Sequence, residues 1–259
     1  MTVALITGGA RRLGRAMALY LADRGHDIAI HYDSSEDEAQ ATARDARAKG
    51  VQAQVFQADL LDPLGVSEAL VPRVAGAMGE LRVLINNASI FEYDNIASAT
   101  MESWDRHIGS NLRAPFQLTQ AFAAQVPAPD SDDAGEPVAK GLIVNMVDQR
   151  VLKPTPEFMT YSLAKAGLWA MTRTTAQALA PRIRVNAIGP GPTLQGAKQS
   201  ESHFKAQRAA TVLERGADPG DIAAALGYFL DAKAVTGQLI CVDGGQHLGW
   251  RTPDVQGRE

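Results

Sequence analysis

The chain has 259 residues, a formal net charge of −4 and a pI near 5.8, enough length to bury one large core in a single α/β domain over residues 1–259. It has no basic block and no aromatic-interleaved basic run, so nucleic acid and acidic lipid are not the expected partners; a small molecule is. One cysteine, Cys241, excludes an internal disulfide, and without a Cys/His cluster a zinc site is not expected. The apolar start, Met1 to Ile6, reaches Gly8 and Arg11-Arg12 too soon for a signal sequence or a membrane span, which predicts a cytoplasmic protein.

Short apolar runs predict strands at Val3 to Thr7, Asp27 to His31, Gln52 to Gln57, Val83 to Asn86, Leu142 to Met146, Arg184 to Ile188 and Gln238 to Val242. Helical periods between them predict helices at Leu13 to Arg24, Glu36 to Lys49, Pro63 to Met78, Met101 to Gln125, Pro156 to Ala180 and Pro219 to Leu230. Strands apolar on both faces, alternating with helices, imply a doubly wound parallel sheet of about seven strands covered on each side. The Pro-, Asp- and Ser-rich stretch from Pro127 to Pro137 reads as a flexible surface loop near 127–140, and the polar stretch 193–215, with its short helical pattern, as a substrate lid.

Chemistry begins at the first turn, Thr7-Gly8-Gly9-Ala10-Arg11-Arg12-Leu13-Gly14, between a strand and a helix. Its glycines allow a tight turn and close approach of a pyrophosphate to the helix N-terminus. Asp59, after the third strand, is placed either to accept from an adenine amino group or to cap the next helix. Asn87-Ala88, after the fourth, puts small and amide residues where a dinucleotide crosses the sheet edge. Tyr161 and Lys165 are four apart in a helical pattern and share a face, so the ammonium is expected to lower the phenol pKa and make Tyr161 a proton donor and acceptor.

Together these residues resemble the short-chain dehydrogenase/reductase family over essentially the whole chain: the turn from Gly8 to Gly14, Asp59, Asn87-Ala88, Asn111 in Gly109-Ser110-Asn111-Leu112, Tyr161 to Lys165, and Pro190-Gly191. The resemblance implies a Rossmann-type fold, a nicotinamide cofactor, a proton relay of Asn111, Tyr161 and Lys165 with a water held by Asn111, and a homotetramer built on the helices expected at Met101 to Gln125 and Pro156 to Ala180. Cofactor contacts would come from Gly8, Arg12, Leu13 and Gly14, from Tyr32, Ser34 and Ser35, from Asp59 and Leu60, from Asn87 and Ala88, and from Lys165, Pro190 and Gly191.

Two departures from the family pattern carry information. Arg12 stands where the middle glycine of the turn is usual, and Asp148 where the catalytic serine is usual, thirteen residues before the tyrosine. An ionised carboxylate cannot donate to a developing oxyanion, so it opposes ketone reduction. A carboxyl whose pKa is raised by burial can instead protonate a ring nitrogen, directly or through Tyr161. Both departures resemble the pteridine reductases and bacterial dihydromonapterin reductases, as do Arg12-Leu13-Gly14-Arg15, His31-Tyr32, Asn87-Ala88-Ser89 with Phe91, and Asn145-Met146-Val147-Asp148. That resemblance implies reduction of a dihydropterin C=N bond, with the pterin between Phe91 and the nicotinamide and polar contacts from Ser89, Arg12, Asp148 and Tyr161.

Arg12, Ser34 and Ser35 favour NADPH, whereas Asp33 would suit the free 2′-hydroxyl of NADH, which is not excluded. A carbonyl reductase acting on an acyl thioester, sugar or steroid is the alternative, opposed by Asp148; a nucleotide-binding regulator without catalysis is the third. His247 and Trp250 near the end are read as interface packing or as reaching a pocket, a neighbour's included.

Overall fold

The computed structural model describes residues 2–62, 66–196 and 199–251. Met1, residues 197–198 of the expected lid and 252–259 lie outside the described residues, as does the expected helix start at Pro63. The described residues form strands β1 (Val3–Ile6), β2 (Asp27–Tyr32), β3 (Ala53–Gln57), β4 (Leu81–Asn86), β5 (Asp130–Ser131), β6 (Pro137–Val138), β7 (Gly141–Met146), β8 (Ile183–Pro190) and β9 (Leu239–Val242). Seven of them make one parallel sheet in the order β3-β2-β1-β4-β7-β8-β9, as the sequence pattern predicts. The order reverses beside β1, so a crevice opens between the carboxyl ends of β1 and β4.

Helices α1 (Arg12–Asp23), α2 (Glu36–Arg47), α3 (Val66–Met78), α4 (Met101–Ile108), α5 (Ala114–Gln125), α6 (Met159–Leu179), α7 (Glu201–Ala209) and α8 (Pro219–Asp231) complete the chain. Alternate strand residues divide the core. Ala4, Ile6, Ile28 and Ile30 pack with Met17, Leu21, Leu226 and Phe229 on one face, and Val3, Leu5 and Ile143 with Leu70, Leu118 and Phe122 on the other.

Three expectations need correction. The helix predicted from Met101 to Gln125 is broken by a π turn at Gly109–Arg113, where Asn111 bonds to a neighbouring loop and the widened turn admits it. The helix predicted from Pro156 starts at Met159, because Phe158 is held in the left-handed region at φ 56°. The stretch near 127–140 is not a structureless loop: β5 and β6 pair antiparallel around Asp132, whose Oδ1 accepts from the N–H groups of Ala134 and Glu136 at 2.9 Å.

Candidate active site

A cavity of about 680 Å³ fills the crevice at the switch point. Its walls hold Gly8, Arg12, Leu13, Gly14, Tyr32, Ser34, Ser35, Asp59, Leu60, Asn87 and Ala88, all expected from sequence, together with Asp33 and Ser89. Two close approaches fix the turn. A Cβ on Gly14 would stand 2.1 Å from the Gly8 carbonyl oxygen, and Gly8 itself has φ 61°. Asn87 Nδ2 donates to the carbonyls of Thr7 (2.9 Å) and Gly8 (3.2 Å).

The first turn of α1 has no side-chain cap and no acidic residue, so its N–H groups and positive dipole end face the cavity as an anion site. These features fit a dinucleotide. Asp59 Oδ1 accepts from Leu61 N–H at 2.8 Å within its own turn. Pro190 and Gly191 lie outside the cavity walls, at the end of β8, where Gly191 N–H donates to Val242 O at 3.0 Å.

Arg12 takes the glycine position with φ 54°, in the left-handed region that usually favours glycine. Its Nη1 and Nη2 donate to the carbonyls of Gln195 (3.0 Å) and Leu194 (3.2 Å), tying the turn to the start of the expected lid. Arg11, which sequence reading passed over, joins Ser34 and Ser35 in the wall and pairs with Glu38 at 3.4 Å. His31 stands in the sequence only as part of the His31-Tyr32 pair, yet it organises the turn. Gly8 N–H donates to His31 Nδ1 at 3.0 Å, which leaves Nε2 to donate to Ala58 O at 3.0 Å. Burial pushes the His31 pKa down, and the neutral ring links glycine turn, β2 and the Asp59 loop.

Beyond the Ser89 and Ile90 end of the cavity the chain passes through Phe91 to the residues of the expected relay. Tyr161 and Lys165 are 5% and 2% exposed on the buried face of α6, not surface neighbours. Tyr161 Oη donates to Asp148 Oδ2 at 2.9 Å, and Asp148 Oδ1 accepts from Arg150 N–H at 2.9 Å. Lys165 Nζ donates to Met146 O at 2.7 Å.

Burial raises the Asp148 carboxyl above its ordinary range, against the opposing pull of the Arg150 N–H and the Tyr161 hydroxyl. The Tyr161 phenol is pushed well above its usual value, first by burial and then by the Asp148 charge. This corrects the expectation that Lys165 lowers it: the phenol donates to the Asp148 carboxyl, and its proton is held. Burial lowers the Lys165 ammonium to about 8. The side chain of Asn111 is committed to backbone. Its Oδ1 accepts from Ile90 N–H at 2.9 Å and its Nδ2 donates to Ile90 O at 2.8 Å, so it anchors the Ile90 loop to the π turn.

An aromatic row borders the dyad. Phe91 lies edge-to-face with Tyr161 at 4.7 Å and stacks on Phe158 at 4.3 Å with planes 7° apart, while keeping 54% of its surface exposed. Behind it is a buried network with no local sequence signal. His107 Nε2 accepts from Glu92 N–H at 3.1 Å, so Nδ1 donates to Thr160 Oγ1 at 2.7 Å, and Thr160 Oγ1 donates to Asp94 Oδ2. Asp94 Oδ1 also accepts from Thr160 N–H at 3.1 Å. These bonds pin the loop carrying Phe91 to the first turn of α6, which carries Tyr161.

Ser89 is exposed, its Oγ donating to Ile90 O at 3.3 Å. His247 and Trp250 do not enter the large cavity. His247 Nδ1 bonds to Asp243 Oδ2 at 2.7 Å beside a second cavity of about 520 Å³, and Trp250 is exposed. Among the described residues no cluster of three metal-ligating side chains occurs, and no helix is long and apolar enough to cross a membrane.

A crevice at the switch point of a parallel sheet, a glycine turn under a helix N-terminus and a Tyr/Lys pair beside it define a nucleotide-dependent oxidoreductase of the short-chain type. Residues 2–206 match the short chain dehydrogenase family model, and the chain belongs to the short-chain dehydrogenase/reductase family. It is 32% identical over 250 residues to 3-oxoacyl-[acyl-carrier-protein] reductase FabG of Staphylococcus epidermidis, covering 95% of this chain and 98% of that one. Among solved structures it is similar to FolM alternative dihydrofolate reductase 1 from Brucella suis in complex with NADP, with TM-score 0.90, 42% identity and 98% of each chain covered. A short chain dehydrogenase from Burkholderia cenocepacia in complex with NADP superposes with TM-score 0.84 at 32% identity, covering 95% of this chain and 97% of that one.

Proposed function

We propose that the protein is an NADPH-dependent reductase of the C=N bond of a 7,8-dihydropterin. The observation that carries this reading is the Asp148–Tyr161 hydrogen bond of 2.9 Å: a buried carboxyl with a raised pKa stands where a serine is usual in this family, and such a carboxyl can hold a proton and deliver it with the phenol. The likeness to the NADP complex of FolM supports both cofactor and substrate class. The turn from Gly8 to Gly14 and the α1 N-terminus would hold the pyrophosphate, Arg11, Ser34 and Ser35 the 2′-phosphate, and Asp59 the adenine. When bound, the reduced nicotinamide supplies the hydride.

The chain's own work is placement and proton delivery. Phe91 offers a flat apolar face to the bicycle, and the His107–Thr160–Asp94 network holds that face against α6. Asp148 holds a proton and, with Tyr161, passes it to the ring nitrogen as the adjacent carbon becomes saturated. The dyad then recovers a proton from water. Lys165 fixes the local charge from its seat on Met146 O and would hold the nicotinamide ribose.

Purified protein should oxidise NADPH faster than NADH with 7,8-dihydromonapterin, 7,8-dihydrobiopterin or 7,8-dihydrofolate, and should leave acetoacetyl thioesters untouched. Turnover confined to the thioester would replace this reading with the oxoacyl reductase activity named for the Staphylococcus relative. Cofactor binding without turnover on any of these would leave a regulator.

The protein is further proposed to act as a homotetramer through a second copy of itself. Trp104, Phe116 and Leu163 are 39%, 46% and 48% exposed on α4, α5 and α6, an apolar set that a monomer gains nothing by showing to water. Light scattering should return four times the chain mass of 27.6 kDa, and Phe116→Asp should reduce it; a monomer in the unmodified protein would sink the idea.

A further inference from the structure

We infer that Arg150 selects the substrate by its tail, binding a carboxylate on the side chain at pterin C6. The inference rests on the pterin reading and adds what that reading leaves open. Arg150 is fixed relative to the acid, since its N–H bonds to Asp148 Oδ1 at 2.9 Å. Its guanidinium carbon lies 4.8 Å over the ring of Phe158, the ring stacked on Phe91. The cation therefore stands at the outer end of an aromatic row whose inner end is Tyr161.

Only Nη1 of the guanidinium has partners, Thr155 Oγ1 at 3.1 Å and Glu157 O at 3.4 Å. Nε and Nη2 make no hydrogen bond, and no carboxylate pairs with Arg150, among the described residues. The other cations of the site are committed: Lys165 to Met146 O, and Arg12 to the carbonyls of Leu194 and Gln195.

A guanidinium with its Nε–Nη2 edge free, set over an aromatic ring, is preorganised for bidentate recognition of a carboxylate. The exposed apolar surface of Phe91, stacked on the Phe158 ring that lies under the cation, suits an aryl linker between bicycle and carboxylate. A neutral polyol tail has no charge to set against the cation. The substrate class is therefore a pterin with an aryl-linked anionic tail.

Arg150 has a rival role, because its charge also pulls down the pKa values of Asp148 and Tyr161. If that were all it did, its loss would change kcat and the pH profile equally for every pterin. KM and kcat are to be measured on the full chain with NADPH for 7,8-dihydrofolate and 7,8-dihydromonapterin, in the unmodified protein, Arg150→Gln and Arg150→Lys. The unmodified protein should show the lower KM for dihydrofolate. Arg150→Gln should raise that KM by about 10- to 100-fold, the size of one charge-assisted contact, and move the dihydromonapterin KM by less than about two-fold. Arg150→Lys should recover part of the loss. Calorimetric titration with folate should weaken by a similar factor in Arg150→Gln, independently of turnover.

Equal effects on the two substrates, or none, would overturn the role of Arg150 while leaving the pterin reading intact. Absence of turnover on both in the unmodified protein would overturn the two together.

Discussion

Asp148→Asn should lower pterin reduction by about 10²- to 10⁴-fold, and Tyr161→Phe by a comparable factor, the range expected when a positioned general acid is lost. Asn keeps the size of the side chain but has a single acceptor oxygen, so it can keep only one of the two bonds that the aspartate accepts, from Tyr161 Oη on Oδ2 and from Arg150 N–H on Oδ1, at 2.9 Å each. What it cannot do is carry the proton. The pH profile separates this from a loss of shape. Burial raises the Asp148 pKa, so the acid form persists above the ordinary carboxylate range, and kcat should fall as pH rises through that raised value. Because Tyr161 and Asp148 share a hydrogen bond, the limb belongs to the pair and not to one residue. Asp148→Asn should remove it. Stopped-flow NADPH oxidation across the pH range measures both quantities, and turnover within three-fold of the unmodified protein, with the limb still present, would mean the carboxyl is not the acid.

The sheet was legible because its signal is local and repeated. The central strands are runs such as Val3 to Ile6 and Ile28 to Ile30 that are apolar on both faces, a pattern that burial between two helical layers explains. Errors fell where a distant partner overrides local preference. Phe158 has an ordinary helical neighbourhood, yet it stacks on Phe91 and starts α6 late; Asn111 sits in a helical period, yet it bonds to Ile90 and opens a π turn.

The site divides in the same way. Tyr161 and Lys165 follow from a spacing of four, and Asp148 from the chemistry of what a carboxylate cannot do. The direction of the Tyr161 pKa did not follow, since the spacing reports only Lys165, while the carboxylate that accepts from the phenol comes from a turn thirteen residues away and the burial from the whole fold. His31, His107, Thr160 and Asp94 are single polar residues in unremarkable surroundings; only the folded chain sets Gly8 N–H on one imidazole and the Thr160 hydroxyl on the other. The Arg12 bonds to Leu194 and Gln195 join residues more than 180 apart, beyond any reading of a motif.

Lys165→Met should abolish measurable turnover, by at least about 10²-fold, and make the protein more stable at neutral pH. Burial lowers the Lys165 pKa from 10.5 to about 8, so holding the charged form in the fold costs on the order of 3 kcal/mol. The sign follows from proton linkage. Between pH 8 and 10.5 the unfolded chain binds the proton and the folded chain does not, so stability rises with pH over that window. Below pH 8 the full cost is present. Methionine removes it but leaves Met146 O without the bond it accepts at 2.7 Å, a loss of about 1 kcal/mol, so the net gain at pH 7 should be roughly 1–2 kcal/mol. The gain should shrink as pH climbs from 8 toward 10.5, where the native lysine is itself uncharged in the fold. Urea unfolding at pH 6.5, 7.5 and 9.5 reads this directly. A variant less stable than the unmodified protein at all three values would mean that the ammonium is compensated by its surroundings, and that the site holds its charge without strain.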